Sequence, residues 1–244
     1  MTRLDQALVE RGLCDSREKA KRFVLAGQVR INGQPARKPS DSVREADVLE
    51  LAAVDKFVSR GGHKLEHALE HFQLAVAGWS AIDLGASTGG FTDCLLQRGA
   101  ARVHAVDVGQ GQLAWKLRQD PRVVVLEKTN ARYLKPEQFP GLFDLVVADC
   151  SFISLKKILP AAIPLLKPGG RIVALIKPQF EAGKEEVDKG RGVITDASVH
   201  ERVLTELHDF VAAQAGICWR GVVESPLLGP AGNKEFLALI EKDR

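Results

Sequence analysis

A short apolar run followed by a glycine-rich loop constrains the fold of this chain more than any other feature. Ala81-Ile82-Asp83-Leu84 leads into Gly85-Ala86-Ser87-Thr88-Gly89-Gly90-Phe91, and a helical apolar face begins at Cys94. A strand, a glycine loop and a helix in this order let the backbone approach a ligand closely and direct the amides of the helix N-terminus at it. The pattern predicts an α/β fold with a ligand at the carboxyl end of this strand.

The spacing within the loop indicates which ligand binds there. A dinucleotide fingerprint needs glycine at the third position, which is Ser87 here, and the lysine of a phosphate-binding P-loop is absent. The Asp-x-Gly-x-x-x-Gly-Gly pattern instead resembles motif I of Rossmann-like methyltransferases, which bind S-adenosylmethionine at this loop. Asp107 follows 22 residues after Gly85, where a carboxylate can accept both ribose hydroxyls of the adenosyl group. The residues predicted to bind the cofactor are Asp83, Gly85, Ala86, Ser87, Thr88, Gly89, Gly90, Phe91, Asp107, Thr129, Asn130 and Asp149.

Seven apolar runs predict a seven-stranded, mostly parallel sheet. The runs are residues 81–84, 102–107, 123–126, 143–148, 171–176, 217–223 and 236–240. The last two are joined by residues 224–233, which are too few and too rich in proline and glycine for a crossover helix. The last strand should therefore be antiparallel to the others, so that its first residue lies at the edge where the other strands end.

Four charged residues far apart in the sequence are expected to meet at this edge. Lys64 lies in residues 59–65, which open an amphipathic helix. Asp149 and Lys177 follow the fourth and fifth strands, and Glu235 precedes the last. In this order they resemble the Lys-Asp-Lys-Glu tetrad of FtsJ-like 2′-O-ribose methyltransferases. Further matches are Ser59-Arg60-Gly61, Asp149-Cys150-Ser151-Phe152 and Lys177-Pro178-Gln179-Phe180-Glu181.

The whole chain resembles the TlyA/haemolysin A family, in which a small α+β S4-like domain precedes a Rossmann-like class I methyltransferase. The resemblance implies S-adenosylmethionine-dependent methylation of the ribose 2′-hydroxyl of cytidines in ribosomal RNA. A ribose hydroxyl is a weak nucleophile and a very weak acid, so the reaction needs a well-aligned base. A second cation disfavours the protonated form of a lysine, so Lys64 would help Lys177 to act as the general base, while Asp149 and Glu235 orient the ammonium groups. Strong ion pairing would oppose this effect, and the sequence leaves the balance open.

The N-terminal residues predict a separate basic module. Residues 1–44 contain 10 Lys/Arg against 5 Asp/Glu, whereas residues 61–244 contain 22 of each. Helical spacing of apolar residues predicts two short helices, the second capped by Asp15 or Ser16, and Asn32-Gly33 predicts a hairpin turn.

The order of these signals resembles the S4 RNA-binding pattern. It implies a domain at residues 1–52 that contacts RNA phosphates, a linker at residues 53–58 and a methyltransferase domain at residues 59–244. The predicted RNA contacts are Arg3, Arg17, Lys19, Lys21, Arg22, Arg30 and Arg60.

The sequence also allows other functions for this chain. Cys150 lies where pyrimidine C5 methyltransferases use a cysteine nucleophile, although the Pro-Cys and Thr-Cys pair of that class is absent. The two prolines with which amino-methyltransferases grip a flipped base are also missing after Asp149. An inactive RNA-binding protein and a membrane-active haemolysin are the remaining alternatives, disfavoured by the intact tetrad and by the lack of a sustained apolar face.

Composition excludes several further classes. The longest stretch without Lys, Arg, Asp or Glu is 12 residues, 71–82, whereas a membrane-spanning helix needs about 20 apolar residues. The four cysteines lack metal or redox spacing, and His63, His67 and His71 predict a solvated helix face. The glycine- and lysine-rich residues 181–196 predict a mobile loop beyond Lys177. We therefore expect a cytoplasmic monomer without metal or membrane, with ribosomal RNA or ribosomal subunits as its partner.

Overall fold

The computed structural model describes residues 1–51 and 55–244, apart from the side chains of Lys184 and Lys189. The chain forms two compact units, Met1–Lys56 and Phe57–Arg244. The predicted linker, residues 53–58, lies partly outside the described residues.

The smaller unit packs two helices on short antiparallel strands. Its elements are β1 (Thr2–Arg3), α1 (Leu4–Glu10), α2 (Arg17–Leu25), β2 (Val29–Ile31), β3 (Gln34–Pro35), β4 (Ser42–Val43) and β5 (Leu49–Leu51). The Ser16 hydroxyl caps α2 by accepting from the Lys19 amide at 3.3 Å. Asn32 and Gly33 both have positive φ, 52° and 77°, as a two-residue hairpin turn requires. Both features confirm the prediction.

The larger unit alternates strands and helices. Its strands are β6 (Ser80–Leu84), β7 (Arg102–Val106), β8 (Val123–Leu126), β9 (Phe143–Ala148), β10 (Leu166–Ile176), β11 (Ile217–Glu224) and β12 (Phe236–Lys242). Its α-helices are α3 (Gly61–His71), α4 (Gly90–Gln97), α5 (Trp115–Arg118), α6 (Leu159–Ala162), α7 (Pro178–Glu181), α8 (Lys184–Lys189) and α9 (Ala197–Ala212). Short 3₁₀ turns lie at Ala131–Tyr133, Pro136–Gln138, Leu155–Lys157 and Ile163–Leu165.

The seven strands form one sheet in the order β11-β12-β10-β9-β6-β7-β8. β12 is antiparallel to both of its neighbours, and the other pairs are parallel, which confirms the predicted fold. Alternate residues of each central strand enter separate cores on the two faces: Ile82 and Val146 lie in one, Ala81 and Leu145 in the other. Burial on both faces explains why these strands are almost continuously apolar.

Strand register decides which residues meet at the carboxyl edge. Ile176 pairs with Phe236, so Lys177 and Glu235 flank the same end of the β10–β12 ladder. Leu84 pairs with Ala148, so Gly85 and Asp149 follow neighbouring strand ends.

The segment 181–196, predicted as a mobile loop, has more structure than expected because it contains α8. The buried side chain of Asn233 holds its far end. The amide oxygen of Asn233 accepts from the Ile194 backbone at 2.8 Å, and its amide nitrogen donates to the Gly192 carbonyl at 2.9 Å. These bonds tie the segment to the stretch just before Glu235.

Candidate active site

Two cavities of about 270 and 470 Å³ share walls at the carboxyl edge of the sheet. Predicted residues that line the smaller one are Arg60, Lys64, Asp83, Gly85, Ala86, Ser87, Thr88, Gly90, Phe91, Asp149, Lys177 and Glu235. Those that line the larger one are Gly85, Ser87, Asp107, Thr129, Asn130 and Asp149. Gly89 lines neither cavity; a Cβ there would come within 2.3 Å of Leu117, so its role is close packing.

Two glycines of the loop lie where a side chain would collide with neighbouring backbone. Gly85 has φ +85°, and a Cβ on it would lie 2.7 Å from the backbone oxygen of Asp149. Gly90 begins α4 so close to α3 that a Cβ would lie 2.8 Å from the Gly62 amide nitrogen. These glycines therefore let the loop pack closely against the segment after β9 and against α3 at the cavity wall.

Asp83 is a buried carboxylate below this loop. Its Oδ2 accepts from the Thr92 amide at 3.0 Å and from the Thr92 hydroxyl at 2.7 Å. Its Oδ1 is buried and has no hydrogen-bond partner in the described part of the chain. Burial raises the pKa of Asp83 to about 7, with a smaller contribution from the charge of Asp149. The group is therefore poised to pair with a cation.

Two backbone amides fix the Asp107 carboxylate at the wall of the larger cavity. Its Oδ2 accepts from the Ser87 amide at 2.8 Å and its Oδ1 from the Gly109 amide at 2.7 Å. Each oxygen keeps one further lone pair. Two hydroxyl groups can therefore still donate to this carboxylate, with Thr129 and Asn130 on the same wall.

The four charged residues form two lysine–carboxylate pairs. Lys64 Nζ lies 2.5 Å from Glu235 Oε2, and these side chains are only 9% and 1% exposed. Lys177 Nζ lies 2.6 Å from Asp149 Oδ1 and also donates to the Ser151 hydroxyl at 2.8 Å. Burying such charges carries a large desolvation penalty, which the close contact within each pair offsets.

Cys150 lies beside these pairs without the features of a nucleophile. Burial raises the pKa of its thiol to about 12, and the neighbouring Asp149 charge acts in the same direction. Its Sγ donates to the Leu84 carbonyl at 3.4 Å. The reactive form of cysteine is the thiolate, which such surroundings disfavour.

A third cavity, which sequence reasoning missed, adjoins Lys177 and Glu235. It measures about 350 Å³ and is mostly apolar, with Phe152 and Phe180 on its wall. The two rings lie 5.0 Å apart, and Phe152 is 90% exposed. The signal in the sequence was an aromatic residue three positions after each of Asp149 and Lys177.

In the smaller unit, acidic residues hold most of the predicted RNA contacts. Arg3 and Arg17 each lie 3.1 Å from Asp5, which is fully buried, and the hydrogen bond from Arg3 is the main cause that lowers the pKa of Asp5 to about 2. Further ion pairs are Lys19–Asp15 at 2.5 Å and Lys21–Glu18 at 2.9 Å, and Arg30 donates to the Gly33 carbonyl. Arg22 is exposed. Counting basic residues alone overstates the positive charge of this face.

Residues 1–51 and 55–244 were also searched for a metal site and for a membrane-spanning helix. No three His, Cys, Asp or Glu side chains there are grouped so that they could hold a metal ion. No helix there has the length and apolar character needed to cross a membrane.

Comparison with known proteins matches each of the two units to a protein family. Residues 57–242 match the FtsJ-like methyltransferase family, and residues 2–49 match the S4 domain. The chain is 52% identical to the 16S/23S rRNA (cytidine-2′-O)-methyltransferase TlyA of Mycobacterium tuberculosis, over 96% of this chain and 87% of that one. It is 41% identical to Hemolysin A of Brachyspira hyodysenteriae, over 97% and 98%.

Solved structures agree with these matches. A Streptococcus thermophilus protein, provisionally named a hemolysin, has a solved structure that matches this chain with a TM-score of 0.76 and 48% sequence identity. The match covers 99% of this chain and 88% of that one. The glycine loop, the strand order and the sequence matches lead to one conclusion. This chain is a methyltransferase that belongs to the FtsJ-like family and carries an S4 domain.

Proposed function

We propose that this protein transfers a methyl group from S-adenosylmethionine to the ribose 2′-hydroxyl of a cytidine in ribosomal RNA. The observation that carries the proposal is the pair of lysine–carboxylate contacts, Lys177–Asp149 and Lys64–Glu235, in the wall of one cavity beside the glycine loop. The name of the M. tuberculosis relative supports the same substrate.

The cavity walls fit the cofactor. When bound, S-adenosylmethionine supplies a methyl group on a sulfonium sulfur. Asp107 would accept its ribose hydroxyls, and the orphaned carboxylate oxygen of Asp83 suits a ligand that carries an ammonium group. Gly85 lines both cavities, so its backbone would lie beside the ligand.

Lys177 is the proposed general base. Its Nζ would take the proton of the ribose hydroxyl as the oxygen gains the methyl group, and Asp149 would accept a hydrogen bond from the resulting ammonium. The Lys64 ammonium, held by Glu235, would stabilise negative charge that develops on the oxygen.

The position of the methyl group in the product tests this function against methylation of the base. Ribosomal subunits from cells that lack the gene are incubated with the protein and cofactor labelled in the methyl group, and the RNA is hydrolysed in alkali. Alkaline cleavage needs a free 2′-hydroxyl, so we expect the label in an alkali-resistant dinucleotide with cytidine on its 5′ side. Label on C5 of a pyrimidine would contradict the proposal and point to Cys150. Subunits from wild-type cells, already modified, are the control.

The S4 domain is proposed to dock on RNA through its arginines. The Arg17 side chain is 52% exposed while Asp5 fixes one of its nitrogens, so the rest of its guanidinium is presented to a phosphate with little loss of rotamer freedom.

Arg17→Ala should weaken RNA binding uniformly across sequences and reduce the slope of log Kd against log salt by about 1. Filter binding at several salt concentrations measures this slope. Arg202→Ala is the matched control, because Arg202 is also held by carboxylates, Glu186 and Glu206, but lies in the other unit. Equal slopes for Arg17→Ala and the wild type would remove Arg17 from the interface.

A further inference from the structure

The Lys177 ammonium has a second partner besides Asp149. Its Nζ donates to the hydroxyl of Ser151 at 2.8 Å, and the Asp149 carboxylate lies 2.6 Å away. Ser151 lines all three cavities at this edge, so its side chain stands where they meet.

A lysine that acts as a base can donate two hydrogen bonds while its lone pair faces the substrate. A neutral amine has two N–H bonds and one lone pair in a tetrahedral arrangement. If Asp149 and Ser151 each accept one N–H, the lone pair has only the remaining direction. Without the hydroxyl, the amine could turn about its Cε–Nζ bond and direct its lone pair away from the substrate. Small errors in the aim of a catalytic group reduce the rate strongly.

A second contact fixes Ser151 relative to Lys177. Glu181 lies at the end of α7, the helix that directly follows Lys177. Its carboxylate accepts from the Ser154 hydroxyl at 2.6 Å and from the Leu155 amide at 2.7 Å. The segments that carry the lysine and the serine are therefore tied to each other, which keeps the Nζ–Oγ contact in register.

We infer that Ser151 is a positioning residue that aims the lone pair of Lys177 at the target hydroxyl. The inference rests on the proposed function. In the step concerned, the hydroxyl proton moves to Nζ, the O–CH₃ bond forms and the S–CH₃ bond breaks, leaving a thioether and a lysine ammonium. Ser151 accepts from Nζ before and after the transfer, so it gains and loses no proton.

Ser151→Ala should lower kcat on ribosomal subunits by about 10- to 100-fold. The KM for RNA and the Kd for the cofactor should stay within about 2-fold, since the hydroxyl acts on the base and not on the ligands. Ser151→Thr keeps the hydroxyl and should restore most of the rate.

Ser198→Ala is the matched control. Its hydroxyl also contacts a charged group, the Asp196 carboxylate at 2.7 Å, but it lies in the first turn of α9 and lines none of the three cavities. An unchanged kcat in Ser151→Ala would overturn the inference. A loss that Ser151→Thr does not restore would do the same. If the wild type itself leaves the ribose unmethylated, the proposed function fails first and the inference with it; ribose methylation by the wild type separates the two.

Discussion

Replacing Lys177 by alanine should reduce kcat for methyl transfer to ribosomal subunits by about 10³-fold while the cofactor still binds. Loss of a positioned general base typically lowers a rate by about 10² to 10⁴. Here the substrate proton would lose its proposed acceptor, while the other lysine of the smaller cavity, Lys64, stays paired with Glu235 at 2.5 Å. Single-turnover rates with labelled cofactor give kcat, and calorimetry gives the Kd of the cofactor, which should change less than about 3-fold.

The strands that precede Lys177 and Asp149, β10 and β9, offer a matched control. Lys167 lies near the start of β10 and pairs with Asp144 of β9 at 2.7 Å, at the opposite edge from Lys177 and Asp149. Lys167→Ala removes a comparable lysine–aspartate contact from outside the cavities and should leave kcat unchanged. A Lys177→Ala enzyme with nearly the wild-type rate would exclude Lys177 as the base.

Replacing Asp83 by asparagine should stabilise the protein without cofactor and weaken its hold on the cofactor. Because burial raises the pKa of Asp83 from 3.8 to about 7, the folded state binds more protons than the unfolded state between these values. Stability therefore falls as pH rises through this window, by up to about 4 kcal/mol above pH 7. Asparagine has no charge to bury, so the free energy of unfolding at pH 8 should rise by about 2 to 4 kcal/mol. The gain should be smaller at pH 5, and urea unfolding at both pH values measures it.

Cofactor binding should respond in the opposite direction. An ammonium group on the ligand would pair with the ionised carboxylate, and a charged hydrogen bond contributes about 1.5–3 kcal/mol, so Asp83→Asn should raise the Kd of S-adenosylmethionine by about 10- to 100-fold. In the wild type, the Kd should rise as pH falls below 7, because binding needs the ionised form. Asp144→Asn, on the neighbouring strand outside the cavities, is the control. A lower stability of Asp83→Asn at pH 8, or a wild-type Kd, would refute this role of Asp83.

The sequence predicted those parts of the fold that follow from the spacing of apolar residues and from the order of the strands along the chain. Apolar runs located all seven strands of the sheet, and the short link before β12 predicted its direction. That direction brought Glu235 to the same edge as Lys177. At β10 the prediction missed the first five residues, because Lys167-Pro168-Gly169-Gly170 breaks the apolar pattern where the pairing with β9 becomes irregular.

Side-chain pairing could not be predicted, because it depends on rotamers and on distances across the fold. The four charged residues were expected as one group, but Lys64 pairs with Glu235, and Lys177 pairs with Asp149 and Ser151. Likewise, Asp5 lies between two arginines that sequence reasoning assigned entirely to RNA. An acidic residue that pairs with a basic one does not change the apolar periodicity, so the pattern does not reveal the pair. Only the short sequence separation of pairs such as Arg3–Asp5 and Lys19–Asp15 was visible.

The strand that leads from Glu235 is the last of the sheet to be synthesised, yet it lies in the interior. β10 and β11 both pair with β12, so each has an unpaired edge until β12 joins. A chain that is growing on the ribosome would already contain the glycine loop and Lys177, while Lys64 would still lack its carboxylate. A translation product that stops before residue 235 should therefore be inactive and prone to aggregate, so methylation begins only with chains that have been read through this strand.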